Sequence, residues 1–291
     1  MLQTTAAQRQ LRSIAQPRGT LMARGNWWRV LILTAFGVLT FIPFVVTILI
    51  SFKDIPQFDH QPYLLTFPLH AENYVTAFTS TYGYLVNSIY VSALAVVLTL
   101  ICACLSAYTF ARFSFPGKMV LFYFMLSLLM IPTILSLVTR FIMVKNLGLI
   151  NTYWALIIPY TSGGQIFMMF VAKTFFEGLP EDLFESARLD GAKELRILWS
   201  IVLPMSRPII WTLTILNIHG NWNNILWPMI TLSRRAMYPI TVGLLYFRNE
   251  YVVDRGPMMA GYIIASVPMI ILFFVASRQF VEGLSSGALK M

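Results

Sequence analysis

Charge is what this 291-residue sequence has least of: Asp, Glu, Lys and Arg together supply 11% of it, against 57% hydrophobic residues. Soluble domains carry about 25% charged residues, so a water-soluble globular chain is excluded and an integral membrane protein is implied. Carboxylates are scarcest of all: there are twelve, none inside a long apolar run. Ion-coupled carriers place Asp, Glu or His at the membrane midplane, and here His219 alone sits well inside an apolar window. The two cysteines, Cys102 and Cys104, are two residues apart in one apolar run. A disulfide between such positions on a helix is geometrically poor, and no histidine is near enough to complete a zinc site. They read as small packing residues. No Walker sequence occurs: FPGKM at 115–119 has a Gly-Lys pair but neither the earlier glycine nor the following Ser or Thr. Ser/His/Asp, HExxH and paired-carboxylate patterns are missing too. The expectation is no catalytic residue, no metal and no cofactor on this chain.

Long apolar runs are what the sequence has instead. Six windows free of Asp, Glu, Lys and Arg exceed the length of about 18 residues that marks a membrane span. They place spans at about 30–52, 85–110, 119–141, 151–173, 206–231 and 257–279, an all-α polytopic membrane protein. The second is set to begin near Leu85 because NYVTAFTSTYGY before it is polar and aromatic. The first run is too long for a cleavable signal and follows a basic segment, residues 1–29, so it is expected to stay as an anchor. Arg9, Arg12, Arg18, Arg24 and Arg29 occur in that tail with no acid, which puts the N-terminus in the cytoplasm. Six crossings return the C-terminus to the same side. The segments this topology makes cytoplasmic hold 14 of the 21 basic residues, as the positive-inside rule requires. The net charge of +9 is thereby explained without nucleic acid.

One segment departs from the oily background. EDLFESARLDGAKELRILWSIVLP, residues 181–204, holds five of the twelve acids. Pro180, Glu181 and Asp182 suit a helix start, Leu183, Phe184 and Ala187 form a short apolar stripe, and Gly191 suits a left-handed helix end. Beyond it Leu195, Leu198, Trp199 and Val202 recur at helical spacing, as on a helix lying along a membrane surface. Phe184 is expected to be exposed, with Ala187 admitting a partner's backbone.

These residues resemble the EAA loop of ABC importer permeases, whose pattern is Glu-Ala-Ala, three residues, Gly, nine residues, Ile, one residue, Leu-Pro. Glu185-Ser186-Ala187, Gly191, Ile201 and Leu203-Pro204 keep every spacing, with Ser186 the one departure. The resemblance covers most of the chain. ENYVTAF at 72–78, NSIYVSALAVVLTL at 87–100, AYTFARFSFPGK at 107–118, NWNNILWP at 221–228 and GLSSGALK at 283–290 are similar to the MalG-like permeases of maltose-type carbohydrate importers, a group that includes alginate importers. It implies a MetI/MalG-like type I importer fold with the coupling segment at 178–204. Leu183, Phe184, Glu185, Ser186, Ala187, Asp190, Gly191, Ile201, Leu203 and Pro204 would then receive force from a cytoplasmic ATPase. Phe247, Arg248, Asn249, Glu250 and Tyr251 would touch an external solute-binding protein. The implied partners are a second, homologous permease, two ATPase subunits that bind ATP and Mg, the binding protein, a sugar and membrane lipid, but no nucleic acid.

In the fifth span, LNIHGNWNNILWP puts polar groups where they are expensive. On a continuous helix Asn217, Asn221, Asn224 and Pro228 share one face, and His219, Gly220, Asn223 and Trp227 another. Two readings stand: contact with a neighbouring membrane helix, or a translocation surface made by Asn217, Asn221, Trp222, Asn223, Asn224 and Trp227. Buried polar pairs between membrane helices average about 0.6 kcal/mol. Pro43, Pro132, Pro159 and Pro268 interrupt four other spans, and Gly163-Gly164 loosens the fourth. Arg140, Lys145 and the arginines of the last outer loop suit either an anionic sugar or solvated loop charge. The leading expectation is a sugar-importing permease subunit; the alternative is an ATP-independent carrier or channel.

Overall fold

The computed structural model describes residues 27–251 and 254–288, with residues 249 and 278–288 described by backbone alone. The basic tail before residue 27 and the end of the GLSSGALK motif lie outside the described residues. Every regular element among the described residues is a helix.

Helix α1 (Trp27–Ser51) is apolar on all sides, and Leu33, Phe36 and Phe41 are exposed. A helix of that kind is matched to lipid or to a partner helix rather than to water. The chain then turns through α2 (Ile55–His60), whose capping box pairs Asp54 with the Gln57 amide at 2.9 Å. Lys53 anchors this loop from inside. Only 2% exposed, it donates from Nζ to the carbonyls of Gln61 (2.8 Å) and Leu64 (2.6 Å) and to Thr66 Oγ1 (2.9 Å). Burial pushes its pKa below the usual lysine value, with the Asp54 charge opposing the shift.

Helix α3 (Glu72–Arg112) has 41 residues, about 60 Å at 1.5 Å per residue and roughly twice the hydrocarbon thickness. It begins at Glu72, not near Leu85. The polar stretch that suggested a loop is helical, and polar side chains on it find backbone acceptors. Asn73 Nδ2 donates to the carbonyls of Ser51 and Lys53 (3.0 and 2.9 Å), and the Thr81 hydroxyl to Ala77 O (2.7 Å).

The expected span at 119–141 is not a single helix. It consists of α4 (Lys118–Leu128) and α5 (Leu137–Asn146), separated by turns around Pro132. Proline has no amide hydrogen and biases the preceding residue away from helix. Neither piece has the about 20 residues needed to cross alone. Helix α6 (Trp154–Glu177) runs unbroken through Pro159, Gly163 and Gly164 and packs along α3, the most extensive helix pairing in the molecule. After it come α7 (Asp182–Leu189) and α8 (Glu194–Met205), then α9 (Arg207–Trp222), set at 83° to α8. Short helix α10 (Leu226–Thr231) follows a break at 223–225, so the expected span at 206–231 is interrupted as well. Helix α11 (Ile240–Glu250) leads to α12 (Arg255–Ala288), which contains Pro268 and packs on α1, α3 and α9.

Four of these helices (α1, α3, α6 and α12) are long and apolar enough to cross a membrane, and a fifth span exists if the bent pair α8–α9 is one. Three clusters make the interior. One lies at the end carrying α7 and α8, and joins Tyr108, Phe122, Phe176, Phe184, Ile197 and Leu213. A second surrounds Trp227 and Leu156, and a third surrounds Trp222 and Phe247.

Candidate functional site

The segment 181–204 forms two helices, as its pattern predicts, but with its faces turned the other way. Phe184 is fully buried and Ala187 nearly so, correcting the expectation of an exposed phenylalanine. The Leu183–Phe184–Ala187 stripe faces the transmembrane core because Phe184 has the aromatic and aliphatic partners there that water cannot supply. Glu185, Ser186, Asp190 and Gly191 are exposed, and Leu189, at 88% exposure, is the apolar residue that α7 presents outward.

Arg112, at the end of α3, holds this arrangement. Its guanidinium lies 3.7 Å from the centroid of the Phe184 ring. One nitrogen donates to the carbonyls of Phe176 (2.6 Å) and Leu179 (2.9 Å), satisfying acceptors at the end of α6, and the other pairs with Glu181. Arg188 continues the chain, with Nε 3.1 Å from Glu194 Oε1 and its guanidinium 3.6 Å from Glu181. The Tyr108 hydroxyl donates to the other oxygen of Glu194. Charged groups of α7 and α8 are thus tied through α3 and α6. Glu194 on one side of Arg188 and Glu181 on the other hold its charged form more firmly than usual, the hydrogen bond to Glu194 first.

Helix α7 ends in a Schellman motif. Gly191 has φ +77°, its amide donates to Arg188 O (3.0 Å), and the Ala192 amide donates back to Ala187 O (2.9 Å). Nothing stands near the place a Gly191 Cβ would occupy, so the glycine is required by backbone angle alone. In α8 the expected single apolar face divides: Leu195 and Trp199 are exposed while Ile197, Leu198 and Val202 are buried. The cause is a π-helical turn at Leu198–Val202, closed by the Leu203 amide on Leu198 O. Pro204 cannot donate and its ring would clash with the carbonyl four residues back; the widened turn accommodates both. Ile201 and Leu203 are half-buried beside it and Pro204 is exposed.

The polar residues of the fifth span do not share the two faces a continuous helix would give them, because α9 ends at Trp222. Asn217 and Asn221 do pair, Asn221 Nδ2 donating to Asn217 Oδ1 at 2.9 Å. Asn217 fits against Gly164, where a Cβ would come within 2.1 Å of its Nδ2. Asn223 donates to His219 O (3.0 Å), and Asn224 Oδ1 accepts the Trp227 amide (3.2 Å). Trp222 and Trp227 are buried within this chain, at 6% and 3% exposure. Trp227 Nε1 donates to Ala155 O at 2.8 Å, the carbonyl that Pro159 leaves without a donor. Half-buried Asn217, Asn221 and Asn224 and exposed Asn223 remain as polar surface.

The stretch around 246–251 is helical rather than a loop, and Phe247 is 2% exposed, its ring centroid 4.6 Å from that of Tyr251. Arg248 and Glu250 are exposed, Tyr251 is half-buried, and the side chain of Asn249 lies outside the described residues. Among the described residues no cluster of His, Cys, Asp and Glu could hold a metal. Sequence reasoning missed Arg112, and it named Gly164 and Pro159 without their contacts to Asn217 and Trp227. The one signal for Arg112 was its place as the first charge after a long apolar run.

The architecture is similar to that of solved transporters. The crystal structure of a bacterial ABC transporter involved in the import of the acidic polysaccharide alginate superposes with a TM-score of 0.79 over 91% of this chain and 100% of that one, at 20% identity. The probable ABC transporter permease protein YurM of Bacillus subtilis (strain 168) is 34% identical over 249 residues, 85% of this chain and 83% of that protein. The diacetylchitobiose uptake system permease protein NgcG of Streptomyces coelicolor is 31% identical over 263 residues, 89% of this chain and 87% of that one. The family described as "binding-protein-dependent transport system inner membrane component" matches residues 95–285. This multi-pass membrane chain therefore belongs to that family, whose members are transporter permease subunits and not enzymes.

Proposed function

We propose that the chain is one of two permease halves of a sugar or oligosaccharide importer of the cytoplasmic membrane. It crosses six times, with α4 and α5 contributing one interrupted crossing and both termini in the cytoplasm. A second permease, two ATPase subunits holding ATP and Mg, and an external solute-binding protein complete the machine. The observation that carries this reading is α7: anchored inward by Phe184 and Arg112, it presents Glu185, Ser186, Leu189 and Asp190 to a partner. Closure of the ATPases on ATP moves α7 as a lever, and the permease pair exposes the sugar path to one side and then the other. The sugar class is supported by relatives such as the diacetylchitobiose and trehalose/maltose permeases.

Leu189→Cys tests the docking, because Leu189 faces outward where Ala187 does not. Photo-cross-linking from that cysteine in native membranes is expected to capture an ATPase subunit, and uptake is expected to stop when ATP is depleted. Capture of no ATPase, with uptake surviving depletion, identifies an ATP-independent carrier instead.

A further inference from the structure

A cavity of about 130 Å³ lies where α5, α6 and the break between α9 and α10 meet, lined by Thr133, Arg140, Tyr160, Asn224 and Trp227 among others. Arg140 has no carboxylate partner among the described residues. Its guanidinium lies over the Trp227 indole, 5.3 Å from the ring centroid, and donates to Thr133 O at 3.1 Å, while its Nε is buried without a hydrogen-bond partner. The Tyr160 hydroxyl, on a side chain 7% exposed, is also buried and unpartnered. Asn224 spends its oxygen on the Trp227 amide, which leaves its NH₂ to donate. The lining therefore offers an unpaired cation and several donors, with no acid to neutralise them.

An arginine on a cavity wall in a membrane chain, with no acid beside it, needs an anion for its charge, and such residues mark substrate pathways. Non-helical backbone, as at 223–225, is tolerated in a membrane where it lines a cavity. The wall is also fixed in place, because Trp227 is held by its bond to the carbonyl freed by Pro159. With no carboxylate in the lining, the fixed positive charge selects an anionic group, and a planar guanidinium is matched by a carboxylate. A neutral sugar hydroxyl would engage Tyr160 and Asn224 but leave the charge uncompensated.

We propose that this cavity binds the carboxylate of an acidic saccharide unit on its way through the membrane, with Arg140 as the countercharge and Tyr160 and Asn224 as orienting donors. The volume takes a carboxylate and the ring atoms next to it. The inference rests on the sugar-permease reading and narrows it to uronate-containing substrates.

The test is binding of a galacturonic-acid disaccharide and its neutral galactose counterpart to the complete transporter in nanodiscs, measured calorimetrically. The acidic sugar is expected to bind at least tenfold tighter to the wild type. Arg140→Gln is expected to abolish that preference, bringing the two sugars to comparable affinity, and Arg140→Lys to keep part of it. Equal binding of the two sugars by the wild type overturns the proposal, as does a preference that survives Arg140→Gln. Loss of the second permease from the Arg140→Gln complex also overturns it, since the arginine then pairs with a carboxylate of that subunit. Saccharide uptake driven by ATP in vesicles of the same preparation is read separately: its absence sinks the permease reading, whereas uptake without acid preference sinks only this site.

Discussion

The indole of Trp227 donates to the backbone carbonyl that Pro159 leaves unpaired in α6. A buried carbonyl without a donor costs about 1–3 kcal/mol, so Trp227→Phe is expected to lower stability by about that amount. Pro159→Ala restores the amide within α6, and in that background the same tryptophan change is expected to cost less. Thermal unfolding of the four proteins in detergent checks this double-mutant cycle, and strict additivity contradicts it. The sequence showed both residues plainly and assigned Pro159 to a kink and Trp227 to the path. The bond that links them joins Trp227 to Ala155, 72 positions away, and no local pattern encodes it. Phe184 departs from expectation for a related reason: the period of a two-turn stripe defines a face but not which neighbour it meets. Gly191 was legible because a left-handed backbone is a local property that glycine meets without strain.

At the scale of elements, α8 depends on a proline in the same way. The π turn at Leu198–Val202 widens the helix just before Pro204, and the 83° bend to α9 comes at Ser206. Pro204→Ala supplies an amide and removes the ring clash, so the segment is expected to revert to regular α-helix. A change of one residue in winding rotates one side of the turn against the other by about 100°, moving Ile197, Leu198 and Val202 out of register with the cluster around Phe184. The expected result is a protein that assembles but takes up sugar several-fold more slowly, measured in vesicles against the amount of complex. Unchanged uptake would show that the π turn has no mechanical role. The long helices were legible, since 3.6-residue periods and apolar runs are local, whereas the helix at Ile240–Glu250 was not. Element ends were not legible either: α3 begins earlier than its polarity suggests, with Asn73 and Thr81 finding backbone acceptors, and the interruption around Pro132 divides α4 from α5.

Across the whole molecule, Arg112 ties α7 to α3 and to the end of α6. Because it contacts Phe184, Glu181 and the end of α6 from its place on α3, a push on α7 reaches α3 and α6 directly as well as α9 through α8. Arg112→Met keeps much of the stem's packing but removes the charge and the bonds to the α6 carbonyls. Uptake is expected to fall at least tenfold while ATP hydrolysis by the partner subunits continues, with Arg112→Lys intermediate. A parallel fall of both, together with loss of assembled complex, would assign Arg112 to folding alone.

By itself the sequence determined the environment and the plan of this protein: the scarcity of charge demanded a membrane, the apolar runs set where helices lie, and the spacing from Glu185 to Pro204 marked the permease family. Those properties belong to single residues or neighbours along the chain, where solvation and backbone geometry act directly. Tertiary structure alone decided which face of α7 turns outward, why Trp227 is buried, and that Arg140, Tyr160 and Asn224 meet at one cavity. Each depends on contacts between helices distant in sequence, whose energies exist only once the helices have packed.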